Sequence, residues 1–88
     1  MRLIYEPSAE ADLHTIFDYI AHHDPRAAED TIIRLEQTIL LLSRFPRLGR
    51  VGRVEETREL KTPRLPYRIV YTIENDTLRI THGRRNWP

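Results

Sequence analysis

The 88-residue chain has no cysteine, three glycines and no long apolar run, and each shortage closes off a class of protein. Without cysteine there is no disulfide framework, no thiolate zinc site and no cysteine nucleophile, a composition compatible with the cytosol. The longest uninterrupted apolar stretch, Ile39 to Leu42, is far too short to span a bilayer. The opening Met1-Arg2-Leu3-Ile4-Tyr5 runs into Glu6-Pro7 without the apolar core of a signal peptide. Neither a repeat nor a low-complexity linker divides the sequence, so one domain is expected over residues 1–88. Net charge is also nearly lacking, at +1, but it is unevenly spread. Residues 1–43 carry three basic against eight acidic side chains, and residues 44–88 carry eleven basic against five acidic, giving −5 and +6. The C-terminal half is the surface that suits an acidic partner, unless the two halves answer each other within the molecule.

What is present is organised around residues 58–87. From Tyr67 to Glu74 the residues Tyr67, Ile69, Tyr71 and Ile73 alternate with Arg68, Val70, Thr72 and Glu74, the period of a strand with one dry face. Asn75-Asp76 tolerates the backbone of a tight turn, and Leu78, Ile80 and His82 resume the alternation. A two-residue loop predicts that Ile73 faces Leu78, Tyr71 faces Ile80, Ile69 faces His82 and Tyr67 faces Arg84. A preceding strand, Arg58 to Lys61, would turn Leu60 to the core and Glu59 and Lys61 away from it.

The N-terminal half supplies the cover. Arg2 to Tyr5 reads as a short strand. Pro7 or Ser8 opens a helix whose Leu13, Ile16, Phe17 and Ile20 share one face, with Glu10, Asp12 and Asp18 off it. Asp24-Pro25 pairs an N-cap with a proline at the first helical position, and a second helix follows on Ala28, Ile32, Leu35, Ile39 and Leu42 until Phe45-Pro46. Two or three connecting residues force the helices into an antiparallel hairpin. Residues 47–54 alternate glycine and arginine without a period and read as a surface loop. The expected fold class is α+β: two layers, with the N-terminal strand and helical hairpin packed on one face of a mainly antiparallel four-stranded sheet, in the order β-α-α-β-β-β. The other sheet face stays open, carrying Arg68, Val70, Thr72, Thr77, Arg79 and Thr81.

Five segments, in order and over nearly the whole chain, resemble the RelE/ParE superfamily of bacterial toxins. They are Pro7-Ser8-Ala9-Glu10-Ala11-Asp12-Leu13, Phe45-Pro46-Arg47-Leu48-Gly49-Arg50, Arg58-Glu59-Leu60, Leu65-Pro66-Tyr67-Arg68-Ile69-Val70-Tyr71 and His82-Gly83-Arg84-Arg85-Asn86-Trp87-Pro88. The resemblance implies a first strand beside the last one, and the toxin half of a type II toxin-antitoxin pair held inactive by a cognate antitoxin. Two mechanisms occur in the superfamily. ParE-like members inhibit DNA gyrase; RelE-like members cut mRNA on the ribosome.

The residues favour the first. RNA cleavage through the 2′-hydroxyl needs a base, an acid and cations for the phosphorane. Arg68 and Arg84 match arginines of the nuclease relatives, but Asn86 and Trp87 stand where several of those enzymes have proton-transferring histidine or tyrosine. His82 is the remaining titrating candidate, and its alternation with Leu78 and Ile80 makes it a half-buried structural residue. Gly83 offers a place for a bulge that would redirect it. Glu59 and Lys61 fit solvation or edge protection better than catalysis. The expected target contacts are Arg84, Arg85 and Trp87, and the expected antitoxin contacts are Lys61, Arg68, Val70 and Arg79. Arg68, His82 and Arg84 are the catalytic set if the chain is a nuclease, with ribosome and mRNA as partners. An inactive toxin fold that only binds antitoxin is the third reading. No cofactor, metal site or membrane partner is expected.

Overall fold

The computed structural model describes residues 1–85; Asn86, Trp87 and Pro88 lie outside the described residues. In chain order the elements are β1 (Arg2–Tyr5), α1 (Pro7–Ala21), α2 (Pro25–Arg44), β2 (Arg50–Val51), β3 (Arg58–Lys61), β4 (Tyr67–Glu74) and β5 (Thr77–Arg85). The strands form one sheet in the order β1-β5-β4-β3-β2, with β1 parallel to β5 and every other pair antiparallel. The expected four strands are therefore five. The difference lies in the stretch read as a loop, where Arg50 pairs with Glu59 and Val51 with Arg58. Two residues are too few to set up a hydrophobic period, so only the tertiary pairing reveals this strand.

The helix boundaries follow local chemistry. Pro7 occupies the first turn of α1, while Glu6 at the N-cap position accepts no side-chain cap bond and Ser8 instead donates its hydroxyl to Thr81 O at 2.7 Å. At α2 the cap is as the sequence predicts: Asp24 Oδ1 accepts the Ala27 N–H at 3.1 Å, with Pro25 next in line. The dry faces of α1 and α2 meet Ile69, Tyr71, Leu78 and Ile80 of the sheet, and around them Ala9, Ile16, Leu35, Ile39, Leu42 and Tyr67 close the core. Among the described residues no helix covers the open face of the sheet.

One buried side chain anchors the segment between the helical and sheet halves. Tyr71 is fully buried; its hydroxyl donates to Pro46 O at 2.6 Å and accepts the Gly49 N–H at 2.9 Å. Arg58 Nη1 donates to Gly49 O at 2.7 Å. The chain leaving α2 is thus fixed on both sides just before β2 begins.

Burial raises the Tyr71 pKa above the ordinary tyrosine value; the Gly49 N–H and the nearby Arg58 charge oppose the shift without cancelling it. Tyr5 is raised as well, by burial first and then by the Glu36 carboxylate. A raised folded-state pKa means that the unfolded chain loses the proton first. The stability these neutral phenols contribute is fully present below the unfolded value of about 10 and is lost as pH climbs through the folded values. Urea midpoints measured at successive pH should therefore fall on the alkaline side of about pH 10, and less steeply in Tyr71→Phe.

Candidate functional site

Strand register arranges the open face in rows. One runs Arg50, Glu59, Val70, His82 across β2 to β5, and the next runs Lys61, Arg68, Arg84 across β3 to β5. Three cations abreast on adjacent strands repel one another, since like charges directly opposite each other weaken a sheet. The compensating charge comes from the neighbouring row. Glu59 Oε1 lies 2.8 Å from Arg68 Nε, with both side chains only 13% exposed. The contact is a close ion pair whose alignment is not that of a hydrogen bond. Glu59 Oε2 accepts the Arg53 backbone N–H at 3.3 Å, and Arg68 Nη1 donates to Arg85 O, holding the end of β5.

Beside this pair lies a hollow of about 300 Å³, lined by four basic side chains, Arg50, Arg53, Lys61 and Arg68, and a single carboxylate, Glu59. At Gly52, in its wall, a Cβ would push Thr57 Oγ1 aside and stand 3.1 Å from Glu59 Oε2. The hollow attracts anions, and its arginines offer forked donors that suit carboxylate or phosphate oxygens.

A family profile described as the ParE toxin of the type II toxin-antitoxin system parDE matches residues 3–87. The chain belongs to the ParE toxin family. It is 37% identical over 78 residues to Y4kP of Sinorhizobium fredii, which bears a provisional toxin name; the match covers 86% of this chain and 81% of that one. Among solved structures, the chromosomal ParDE system of P. aeruginosa superposes with a TM-score of 0.88 at 23% identity, covering 99% of this chain and 97% of the other. The toxin-antitoxin complex RelBE2 of Mycobacterium tuberculosis gives 0.66 at 26% identity, over 97% and 96% of the two chains. The matched chains of the ParDE system and of RelBE2 thus share one fold with this chain.

In this ParE-family chain His82 is not where simple alternation puts it. A bulge in the β4–β5 pairing, between Val70 and Tyr71, leaves Thr81 without a partner and shifts the rest of the strand by one residue. Ile69 consequently faces Gly83, Val70 faces His82 and Tyr67 faces Arg85, which corrects the expected Ile69–His82 and Tyr67–Arg84 pairs. The nearest neighbours of a Cβ at Gly83 would be Leu13 and Ile16 of α1, so glycine occupies the inward place that His82 was expected to fill. His82 is half-buried, and its Nδ1 lies 2.9 Å from Asp12 Oδ2.

That same Asp12 oxygen accepts the Gly83 N–H at 3.3 Å. Beyond Ile80, where β1 stops, α1 therefore borders the edge of β5, with Ser8 and Asp12 bonding its backbone. Neither residue stood out in the sequence beyond marking a helix start and its polar side. Their spacing of four, one helical turn, is the available signal.

The other expected contacts divide. Lys61, Arg84 and Arg85 are exposed. Arg79 is engaged by two carboxylates, at 3.3 Å from Glu6 and 3.7 Å from Glu74. Val70 is only 8% exposed, so it offers a partner little apolar surface. Trp87 lies outside the described residues. The structure brings Arg68 and Arg84 side by side, and it binds His82 to Asp12 of α1.

Proposed function

We propose that this ParE-family toxin arrests growth by binding DNA gyrase and so blocking replication, that Arg84, Arg85 and Trp87 form the target contact, and that a cognate antitoxin neutralises it over the open sheet face. Family membership supports the gyrase target. The observation that carries binding over catalysis is the exposure of Arg84 and Arg85 at the end of β5, while Glu59 is occupied by Arg68 and the Arg53 N–H. The antitoxin fits the same face through acidic groups over the hollow beside Lys61 and Arg68, with Arg79 at the far side.

The purified chain should inhibit gyrase supercoiling. Arg84→Ala with Arg85→Ala should raise the concentration needed by about tenfold or more, the loss of two charge-assisted contacts. Antitoxin binding by the double variant should persist. In cells expressing the toxin alone, thymidine incorporation should halt before methionine incorporation.

The second reading is a ribosome-dependent mRNA endoribonuclease, and the row Lys61, Arg68, Arg84 favours it, because aligned cations suit a phosphorane. An early halt in translation, with Arg68→Ala abolishing it while antitoxin still binds, would replace the gyrase reading.

A further inference from the structure

The second helix carries two apolar faces. The first packs on the sheet through Leu35, Ile39 and Leu42, all fully buried. The second, on the opposite side, has Ile33 exposed at 50%, Leu40 at 58% and Leu41 at 43%. At about 100° per residue these three lie within about 60° of Gln37, as do Arg26, Asp30, Arg34 and Arg44. Ile33 and Leu40 stand seven residues apart and Ile33 and Leu41 eight, about two helical turns in each case, so all three reach solvent on one side of the helix, the placement of a helix that meets another helix.

The order along that face determines which one. Reading outward from Gln37, Asp30 lies seven residues before it and Arg44 seven residues after it. Ile33 and Arg34 on one side are balanced by Leu40 and Leu41 on the other. An antiparallel copy crossing at Gln37 therefore sets Asp30 against Arg44 at both ends. Ile33 meets Leu40, Leu41 lies along the aliphatic stem of Arg34, and Gln37 meets its own copy on the axis. A parallel copy would place Asp30 beside Asp30 and Arg44 beside Arg44. The face is self-complementary in one direction only, the requirement for an isologous two-fold contact.

We infer that this ParE-family chain associates with a second copy of itself through the outer face of α2, in an antiparallel contact centred on Gln37. The contact uses neither the hollow between β2 and β4 nor the exposed end of β5. Asp30 to Arg44 spans only about 21 Å of helix, so the interface is at the small end and the dissociation constant is expected on the order of 1–100 µM.

Sedimentation equilibrium of the purified chain over that concentration range tests the contact. The wild-type chain should pass from monomer to dimer. Asp30→Arg alone and Arg44→Asp alone each bring like charges together and should weaken the dimer by about tenfold or more. The two combined restore opposite charges and should return association to within about threefold of wild type. Leu40→Glu should be monomeric, with an unchanged helical circular dichroism spectrum to show that it folds. A chain that stays monomeric throughout overturns the inference, as does a dimer indifferent to these four variants. So does a monomeric chain in which Leu40→Glu weakens only antitoxin binding, which would assign the stripe to the antitoxin.

Discussion

Glu59→Ala should destabilise the fold by about 2–3 kcal/mol, a value below the 3–5 of fully buried pairs because some solvent reaches both partners. The reason is the row beside it. With Glu59 gone, Arg68 keeps its charge in a side chain 13% exposed, flanked in register by Lys61 and Arg84. Replacing Arg68 as well, by methionine of similar length, removes the uncompensated cation, and Glu59→Ala with Arg68→Met should recover more than half of the loss. Urea unfolding of the two single variants and the double variant gives the coupling directly. If Glu59→Ala costs less than about 0.5 kcal/mol, the pair is a solvated surface contact and the charge argument for the row fails.

Gly49→Ala is expected to cost more for a smaller change, about 2–4 kcal/mol. Its Cβ would overlap Tyr71 Oη and stand 2.8 Å from Tyr71 Cε1 and 2.9 Å from Glu59 O. Two of those atoms belong to a fully buried ring and one to the backbone of β3, so none yields easily. Relief would break the Gly49 N–H bond to Tyr71 and disturb the Arg58 bond to Gly49 O. The position is held by contact rather than by backbone angle, since no glycine here has positive φ. A thermal melt distinguishes this from a local effect, because a domain of this size has only about 5–10 kcal/mol in total. A midpoint within about 2 °C of wild type would show that the knot around Tyr71 can relax.

Most of the architecture was legible because it rests on periods and caps that operate within one segment. Asp24-Pro25 announces α2, and the alternation of Tyr67, Ile69, Tyr71 and Ile73 announces a strand with one dry face. The Asn75-Asp76 turn fixes the register near the hairpin, where Ile73 meets Leu78 and Tyr71 meets Ile80 as expected. Legibility ends where pairing depends on distant chain. The bulge opposite Val70 and Tyr71 leaves no local mark besides Gly83, and it moves every later residue of β5 by one place. The consequence is specific to the candidate site: Arg84 is brought level with Arg68, and His82 level with Val70. The two residues of β2 were equally hidden, since Arg50 and Val51 become a strand only by lying against Glu59 and Arg58. The Asp12 contacts were beyond sequence for another reason, because its polarity signals only an exposed helix side until α1 is known to border β5.

The parallel pairing of β1 with β5 sets an order of assembly. Ser8 and Thr81, joined by a hydrogen bond, are 73 residues apart, and β1 borders only β5 in the sheet. While the chain is being synthesised, β1 has no neighbour until β5 follows, and α1 has no strand edge to border. Long-range closure of this kind comes late and slowly. The helical hairpin forms from adjacent sequence, but the row Lys61, Arg68, Arg84 does not exist until the last strand is in place. A chain cut short before β5 lacks that row and leaves β1 without a strand to pair with, so both wait on the last nine residues of strand.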